Sequence, residues 1–291
     1  MKTWFITGTS SGFGRRLTEL LLARGDRVAA TARRTQTLDD LKDVHGDRLW
    51  TAALDVTDTA AIRTVVDRAF VELGTVDVVV SNAGYGLLGA AEEASDDQID
   101  RQIATNLTGS IQLGRAMIPH LRAQGGGRII QIASIGGQIA FPAMSYYHAT
   151  KWGIEGFWES AAAEIAPFGI SVTLVEPGVA RTEFGGASAV LGTALDVYAD
   201  GPSGSLRAAL SGQGPALPAP GDPVKIAKAI IASADQTVAP KRLTLGSDAH
   251  NLGVAALRDR LGALESAKDL AYSTDADDYI VIRDSPPTLL P

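Results

Sequence analysis

Three side chains in this sequence have the types and spacing needed to move a proton to or from an oxygen. Tyr147 and Lys151 stand four apart in Ser145-Tyr146-Tyr147-His148-Ala149-Thr150-Lys151, so on a helix they share one face. A free tyrosine titrates near 10, too high for a base at neutral pH, but a neighbouring ammonium stabilises its phenolate. Ser134, upstream of the pair, can hydrogen-bond the reacting oxygen. Together the three suit protonation of a carbonyl or deprotonation of an alcohol. Alone, Y-x-x-x-K is common and mostly marks a surface pair, so its meaning depends on what accompanies it. Tyr146 competes for the role, yet its partner four residues on is the uncharged Thr150, which assigns Tyr146 to packing or the substrate wall. His148 points to another face and reads as a structural residue.

A second group of residues suits a phosphate-bearing ligand. Thr7-Gly8-Thr9-Ser10-Ser11-Gly12-Phe13-Gly14 joins an apolar strand to an amphipathic helix. Gly8, Gly12 and Gly14 permit a tight turn, close approach of a phosphate and close helix packing, and the backbone N–H groups around Ser10, Ser11 and Phe13 then face a pyrophosphate. At the end of the second strand stands Ala32, where NAD enzymes place an acidic residue about 20 residues past the glycines. Arg33 and Arg34 follow, and Arg33 can pair with a 2′-phosphate, which predicts NADP(H) in preference to NAD(H). Asp55 and Val56 follow the third strand, with Asp55 an acceptor for an adenine amino group. Asn82-Ala83-Gly84 follows the fourth and would line the cofactor crevice. Pro177-Gly178-Val179-Ala180-Arg181-Thr182 follows the sixth and can clasp a nicotinamide carboxamide. An oxidised nicotinamide ring would add positive charge beside Tyr147. The substrate side is expected to be formed by Ser134, Gln138, Tyr147 and Phe184, with Gly136, Phe141, Met144 and Val179 nearby. That mostly apolar set favours a hydrophobic ketone or alcohol.

The elements that must position these groups are legible as alternating apolar runs and amphipathic stripes. Strands are predicted at 4–7, 28–31, 49–54, 76–80, 128–133, 171–175 and 242–245. Several are apolar on successive residues, as strands covered on both faces are. Leu17, Leu20, Leu21 and Leu22 form a helical stripe ending at Gly25, and Ile62, Val65, Val66, Ala69 and Phe70 another after the candidate N-cap Asp58. This order predicts an α/β fold: a doubly wound parallel sheet (Rossmann fold) of about seven strands with helices on both faces, in a single domain over residues 1–291. A Gly-, Ala-, Ser- and Pro-rich insertion at about 184–222 is predicted to form a substrate lid with short helices near 187–198 and 203–210. A C-terminal extension covers about 266–291.

Composition narrows the function classes. The 291 residues include no cysteine, which excludes disulfides, thiolate nucleophiles and zinc–thiolate sites and fits a reducing compartment. The four histidines, His45, His120, His148 and His250, show no metal-ligand spacing, so no metal site is expected. A net charge of −7 argues against a nucleic-acid partner. The first residues do not read as a signal peptide and no apolar run reaches the roughly 18 residues of a membrane span, so a cytoplasmic protein with no membrane partner is expected.

The glycine turn, Asn82-Ala83-Gly84, Asn106, Ser134, Tyr147/Lys151 and Pro177-Gly178 to Thr182 occur in the order seen in the classical short-chain dehydrogenase/reductase family, which the chain closely resembles. The motifs run from about residue 3 to 184, without departure from the catalytic pattern. The resemblance implies an NADP-dependent oxidoreductase acting on CH–OH donors, with Tyr147 as proton donor, Ser134 steadying the oxygen and Lys151 holding the nicotinamide ribose. It also implies that Asn106 holds a helix kink and a water that links Lys151 to solvent. Phe13 and the segment Leu243-Thr244-Leu245-Gly246 resemble the 17β-hydroxysteroid- and retinol-dehydrogenase-like group. Relatives imply a homodimer or homotetramer through helices near 98–123 and 145–166, where Ile111, Leu113, Trp152, Phe157 and Trp158 would permit an interface. Two rivals remain: a non-catalytic NADP(H)-sensing protein of the same fold, against which the retained tyrosine and lysine argue, and a sugar-nucleotide epimerase, whose glycine turn is spaced differently.

Overall fold

In the computed structural model, which describes residues 1–185, 188–216 and 218–276, strands and helices alternate from the first residues. They are β1 (Thr3–Thr7), α1 (Gly12–Arg24), β2 (Arg27–Ala32), α2 (Asp39–His45), β3 (Leu49–Ala53), α3 (Thr59–Leu73), β4 (Val78–Ser81), β5 (Gly86–Leu88), α4 (Asp96–Ile103) and α5 (Gly109–Ala123). There follow β6 (Gly127–Ile132), α6 (Ser145–Ile165), β7 (Ile170–Pro177), β8 (Ala189–Leu191), α7 (Pro202–Leu210), α8 (Pro223–Asp235), β9 (Arg242–Leu245), α9 (Ser247–Ser266) and α10 (Lys268–Tyr272). The main sheet has seven parallel strands in the order β3-β2-β1-β4-β6-β7-β9. This is the doubly wound arrangement that the alternation predicts. Chain direction across the sheet reverses at β1 and β4, and in open α/β sheets the crevice above such a reversal is where ligands bind.

The period of two along each strand divides the core into two layers. Phe5, Ala29, Val79, Ile129 and Val172 face Ile62, Val66, Leu113, Met117, Ile154 and Trp158 from α3, α5 and α6. Trp4, Ile6, Val28, Val80 and Val175 face Leu17, Leu21, Ile226 and Ile230 from α1 and α8 on the other side. Burial on both faces explains why the strands read as continuous apolar runs. The predicted caps also hold. Gly25 ends α1 with φ +94°, and the Asp58 carboxylate accepts from the Ala61 N–H at the start of α3.

The insertion departs from expectation. A helix was predicted near 187–198, but Ala189–Leu191 form a strand, β8, that pairs in parallel with β5, and only a single turn follows at Asp196–Tyr198. The reason is local partnership. The apolar triplet Ala189-Val190-Leu191 lies beside the backbone of Gly86–Leu88, which offers hydrogen bonds that helix formation would forgo. The second predicted helix is present as α7. Residues 186, 187 and 217 of the insertion lie outside the described residues, as do residues 277–291 of the predicted C-terminal extension. The chain divides into two compact units, Met1–Gly253 and Val254–Pro291, the boundary falling inside α9. All the predicted site residues lie in the first unit.

Candidate active site

The carboxyl ends of β1, β2 and β4 form one continuous set of contacts. The hydroxyl of Thr7, the last residue of β1, accepts from the N–H groups of Asn82 and Ala83 beyond β4, at 3.0 and 3.1 Å. Asn82 returns two bonds through Nδ2, to the carbonyls of Thr7 at 2.8 Å and Gly8 at 3.0 Å. Thr9 donates to the carbonyl of Thr31 through both its N–H and its hydroxyl. The turn is thus bolted to its neighbouring strands before any ligand arrives. Asn82 and Ala83, predicted to line the crevice, here hold the glycine turn in shape. Thr7 was not singled out by sequence reasoning, because a buried threonine at a strand end carries no pattern of its own.

Gly14 and Gly12 differ in what they do. A Cβ on Gly14 would lie 2.3 Å from the Gly8 carbonyl oxygen and 2.6 Å from Asn82 Nδ2, so only glycine allows helix α1 this close to the turn. Gly12 has φ +55° and a Cβ there would meet nothing within 4 Å, so the turn is open at that point. Ser11 is the extended N-cap of α1, its hydroxyl makes no capping bond and no acidic residue stands in the first turn. A tightly built turn that is open above the positive end of a 13-residue helix fits a pyrophosphate. Phe13 is half-buried against the α1–α8 layer.

Around this turn lie the groups predicted to bind the rest of the cofactor. Ala32 is buried at the end of β2, and Arg33 and Arg34 are exposed beyond it. Asp55 accepts from the N–H and hydroxyl of Thr57, and the Thr57 N–H is the largest cause holding its carboxyl below the usual range, with the charge of Arg33 adding to it. Val56 is buried. Gly84 faces Asn106, whose Oδ1 would lie 3.2 Å from a Cβ there. At the end of β7, the Gly178 N–H donates to the Leu245 carbonyl, and the Val179 N–H donates to Asp248 Oδ2 at 2.7 Å. The other Asp248 oxygen packs on Gly178 and Gly246, where added Cβ atoms would fall within 2.2 and 2.5 Å. Asp248 was missed: it is about seventy residues from the loop it holds, with no spacing signal between them. Thr182 accepts from the Phe184 N–H at 3.3 Å.

The predicted catalytic residues converge. Tyr147 and Lys151 are both buried, at 6% and 7% exposure, although they stand on the helix that follows the exposed segment 140–142. Lys151 Nζ donates to the Ile132 carbonyl at the end of β6 (2.9 Å) and lies 5.6 Å from the centre of the Tyr147 ring. Ser134 Oγ accepts from the Gly136 N–H at 3.0 Å, and the serine hydroxyl lies near enough to the Tyr147 phenol to lower its proton affinity. Burial pushes the phenol up to about 12, with the Ser134 bond opposing it. Burial pushes Lys151 down to about 8, with Glu155 opposing it. Phe184 stacks edge-on to Tyr147, ring centres 5.4 Å apart.

Asn106 lies at a break in a helix, as the resemblance implies. Between α4 and α5 the chain makes one π-helical turn, Ala104–Thr108. The buried Asn106 accepts from the Tyr85 N–H at 3.1 Å and donates to the Tyr85 carbonyl at 2.8 Å. A helix widened by one residue frees a main-chain carbonyl, and such bulges recur at functional sites. His148 is structural: its Nδ1 donates to the Gly136 carbonyl (2.8 Å) and its Nε2 accepts from the Phe141 N–H (2.9 Å). Burial lowers its proton affinity, which keeps the ring neutral for that second bond. Tyr146 donates to the Ala91 carbonyl at 2.7 Å, a packing role.

Gln138 was placed on the substrate side, but its amide is turned to the carboxylates of Glu155 and Glu176, at 2.5 and 3.4 Å. Of the remaining residues expected to line the pocket, Phe141 and Val179 are exposed, Met144 is half-buried and Gly136 is buried under His148. Among the residues expected to permit an interface, Leu113 and Trp158 lie in the core at 1% exposure and cannot reach a second chain. Trp158 packs where a Cβ on Gly114 would fall 2.6 Å from its ring. Trp152 is exposed, and Ile111 and Phe157 are half-buried. No cluster of three or more metal-ligating side chains occurs among the described residues, and none of their helices is long and apolar enough to cross a membrane.

A family profile described as short chain dehydrogenase matches residues 2–189. The oxidoreductase BOA17 of Botryotinia fuckeliana (strain B05.10) is 37% identical over 252 residues, which covers 85% of this chain and 90% of that protein. A solved short-chain dehydrogenase from Streptomyces avermitilis superposes with a TM-score of 0.87 at 39% identity, covering 94% of this chain and 100% of that one. The closed form of a serine dehydrogenase complexed with NADP+ is more distant, at 29% identity and a TM-score of 0.70 over 84% of this chain and 94% of that one.

Proposed function

The chain belongs to the short-chain dehydrogenase family, and from that premise we propose that it interconverts a carbonyl and a secondary alcohol with NADP(H) preferred over NAD(H). The observation that carries this reading is the meeting of the buried Tyr147 and Lys151 with the half-buried Ser134 at the carboxyl end of the sheet. A bound nicotinamide supplies hydride exchange with the substrate carbon. Everything else falls to the protein. In reduction Tyr147 donates its phenolic proton to the carbonyl oxygen while Ser134 hydrogen-bonds that oxygen. Lys151 holds the nicotinamide ribose, and its positive charge eases formation of the phenolate. Asn106, anchored to Tyr85, holds the widened turn whose free carbonyl can seat a water on the way from Lys151 to solvent.

The cofactor-binding set is Gly8, Ser10, Ser11, Gly12, Phe13 and Gly14 for the pyrophosphate, with Arg33 for a 2′-phosphate. Asp55 and Val56 take the adenine, Asn82, Ala83 and Gly84 the crevice, and Pro177, Gly178, Val179 and Thr182 the carboxamide. Support for NADP(H) comes from Ala32 and the exposed Arg33, and from the serine dehydrogenase relative solved with NADP+. Phe184 on the Tyr147 ring, with Val179 and Phe141 exposed close by in sequence to the catalytic loops, supports a hydrophobic substrate. A cytoplasmic homodimer or homotetramer, with the insertion at 184–222 as substrate lid, completes the proposal.

The test is NADPH consumption with a panel of aliphatic ketones, aromatic aldehydes, quinones, steroids and retinal, with NADH as the control cofactor. Tyr147→Phe should bind NADPH nearly as well as the parent while turnover falls by about 10²–10⁴-fold. Equal turnover in that variant would remove Tyr147 from the chemistry. Tight NADPH binding with no turnover on any carbonyl would instead favour a cofactor-sensing protein.

A further inference from the structure

Behind the catalytic pair, α6 carries a third polar group on the same face. Tyr147, Lys151, Glu155 and Glu159 follow one another at intervals of four. Glu155 is 3% exposed, an expensive position for a carboxylate unless charges oppose it. One oxygen, Oε2, accepts from Arg242 Nη1 of β9 at 2.6 Å and from Gln138 Nε2. The other, Oε1, is buried without a hydrogen-bond partner among the described residues. It lies where a Cβ on Gly137 would fall, 2.1 Å away, so this glycine exists to admit the carboxylate. Arg242 also donates to Glu176 and Glu159, and the second oxygen of Glu176 accepts from the Thr244 hydroxyl at 3.0 Å.

Arg242 therefore has two further carboxylates and does not require Glu155 to be neutralised. Burial and the neighbouring Glu176 raise the proton affinity of Glu155, while Arg242 and Gln138 oppose them and favour its charged form; Lys151 is the cation one helical turn before it on α6. Glu155 acts on Lys151 through its charge, while Lys151 Nζ donates to the Ile132 carbonyl and lies over the Tyr147 ring. We propose that Glu155 is a positioning residue: its carboxylate, clamped by Arg242 and Gln138 against Gly137, keeps Lys151 in the ammonium form that holds the ribose and supports Tyr147. This rests on the role given to Lys151 above. It also gives Gln138 a function, as the arm that ties the loop after Ser134 to the charge behind the lysine. Burial alone drives Lys151 toward the neutral amine, and Glu155 opposes that drift.

The test reads cofactor affinity rather than turnover. NADPH dissociation constants are measured by fluorescence between about pH 6 and 10, a span that brackets buried and free lysine titration. The chains compared are the parent, Glu155→Gln, Lys151→Met and the double variant. In the parent, affinity should fall as pH rises through about 8, where Lys151 loses its proton. In Glu155→Gln the same fall should begin about one pH unit lower, because the buried ammonium has lost its counter-charge. Glu155→Asp, which keeps the charge, should restore most of the parent profile. Lys151→Met should show no such fall, and adding Glu155→Gln to it should change nothing further. A fall that stays in place in Glu155→Gln, or a Glu155→Gln effect that persists without Lys151, overturns the proposal and leaves Glu155 a purely structural residue. If neither Glu155 replacement folds, that structural role is likewise the answer. A parent chain that binds neither NADPH nor NADH overturns the cofactor reading and this proposal with it.

Discussion

Tyr147 is held as a neutral phenol at neutral pH, because its burial raises the phenol to about 12. That form suits a proton donor, the role reduction requires. To accept a proton in the opposite direction, the residue needs extra positive charge nearby, and Lys151 supplies it only below the pH at which its own buried ammonium titrates, about 8. Lys151 Nζ lies 5.6 Å from the centre of the Tyr147 ring, close enough for its charge to favour a phenolate there. Arg33 acts separately, at the exposed end of β2, where nothing but Ala32 occupies the position of an acidic selector. Replacing Arg33 with Ala would remove the charge-assisted hydrogen bond proposed to the 2′-phosphate, worth about 1.5–3 kcal/mol when well formed. At an exposed site the expected outcome is about tenfold weaker NADPH binding with NADH binding unchanged. A titration showing equal loss for both cofactors would mean that Arg33 does not read the 2′-phosphate.

At the scale of elements, Glu93 is the fastening of the insertion. It is 4% exposed, and burial by itself would raise its carboxyl. Ser203, the N–H groups of Leu195 and Ala90, and Arg207 all donate to it and together hold it down at about 2. The Glu93 carbonyl accepts from the Thr193 N–H as well. One side chain thereby ties α7 and the loop after β8 to the segment before α4. A carboxyl whose folded value lies below its ordinary 4.5 contributes stability that is fully present above about pH 4.5 and is lost as pH falls toward 2. Glu93→Gln should thus destabilise the chain by about 3 kcal/mol at neutral pH, read by denaturant unfolding. The difference from the parent should shrink as both are measured at lower pH. A constant difference down to about pH 3 would show that shape, not charge, carries the contact. None of this was visible in the sequence, where no spacing links Glu93 to Ser203 or Arg207. The strand β8 was hidden for the same reason: three apolar residues choose strand or helix according to the backbone they lie beside.

For the whole molecule, the parallel order of the seven strands puts the glycine turn, Asn82, Ser134 and Pro177 on one edge of the sheet, because every parallel strand ends on the same side. Assembly is a property at this scale too. With Leu113 and Trp158 committed to the core, an interface through α5 and α6 has to rely on Ile111, Phe157 and Trp152. Sedimentation of the protein should give a dimer or tetramer, and Phe157→Glu should shift it toward the monomer, since a charge facing a buried interface finds no partner. A monomeric parent chain would end that expectation.

The sequence by itself determined the fold class, the glycine turn, the caps at Gly25 and Asp58, and the candidate group Ser134, Tyr147 and Lys151. These rest on local rules: hydrophobic period, turn chemistry and spacing on one helix face. Only the tertiary structure decided what lies behind them. Thr7 bridging to Asn82, Asp248 on Gly178, Glu93 beneath the insertion and Glu155 beside Arg242 are all contacts between residues far apart in the chain. A buried polar side chain is defined by its partners, and partners brought together by the sheet leave no mark in the spacing of either residue.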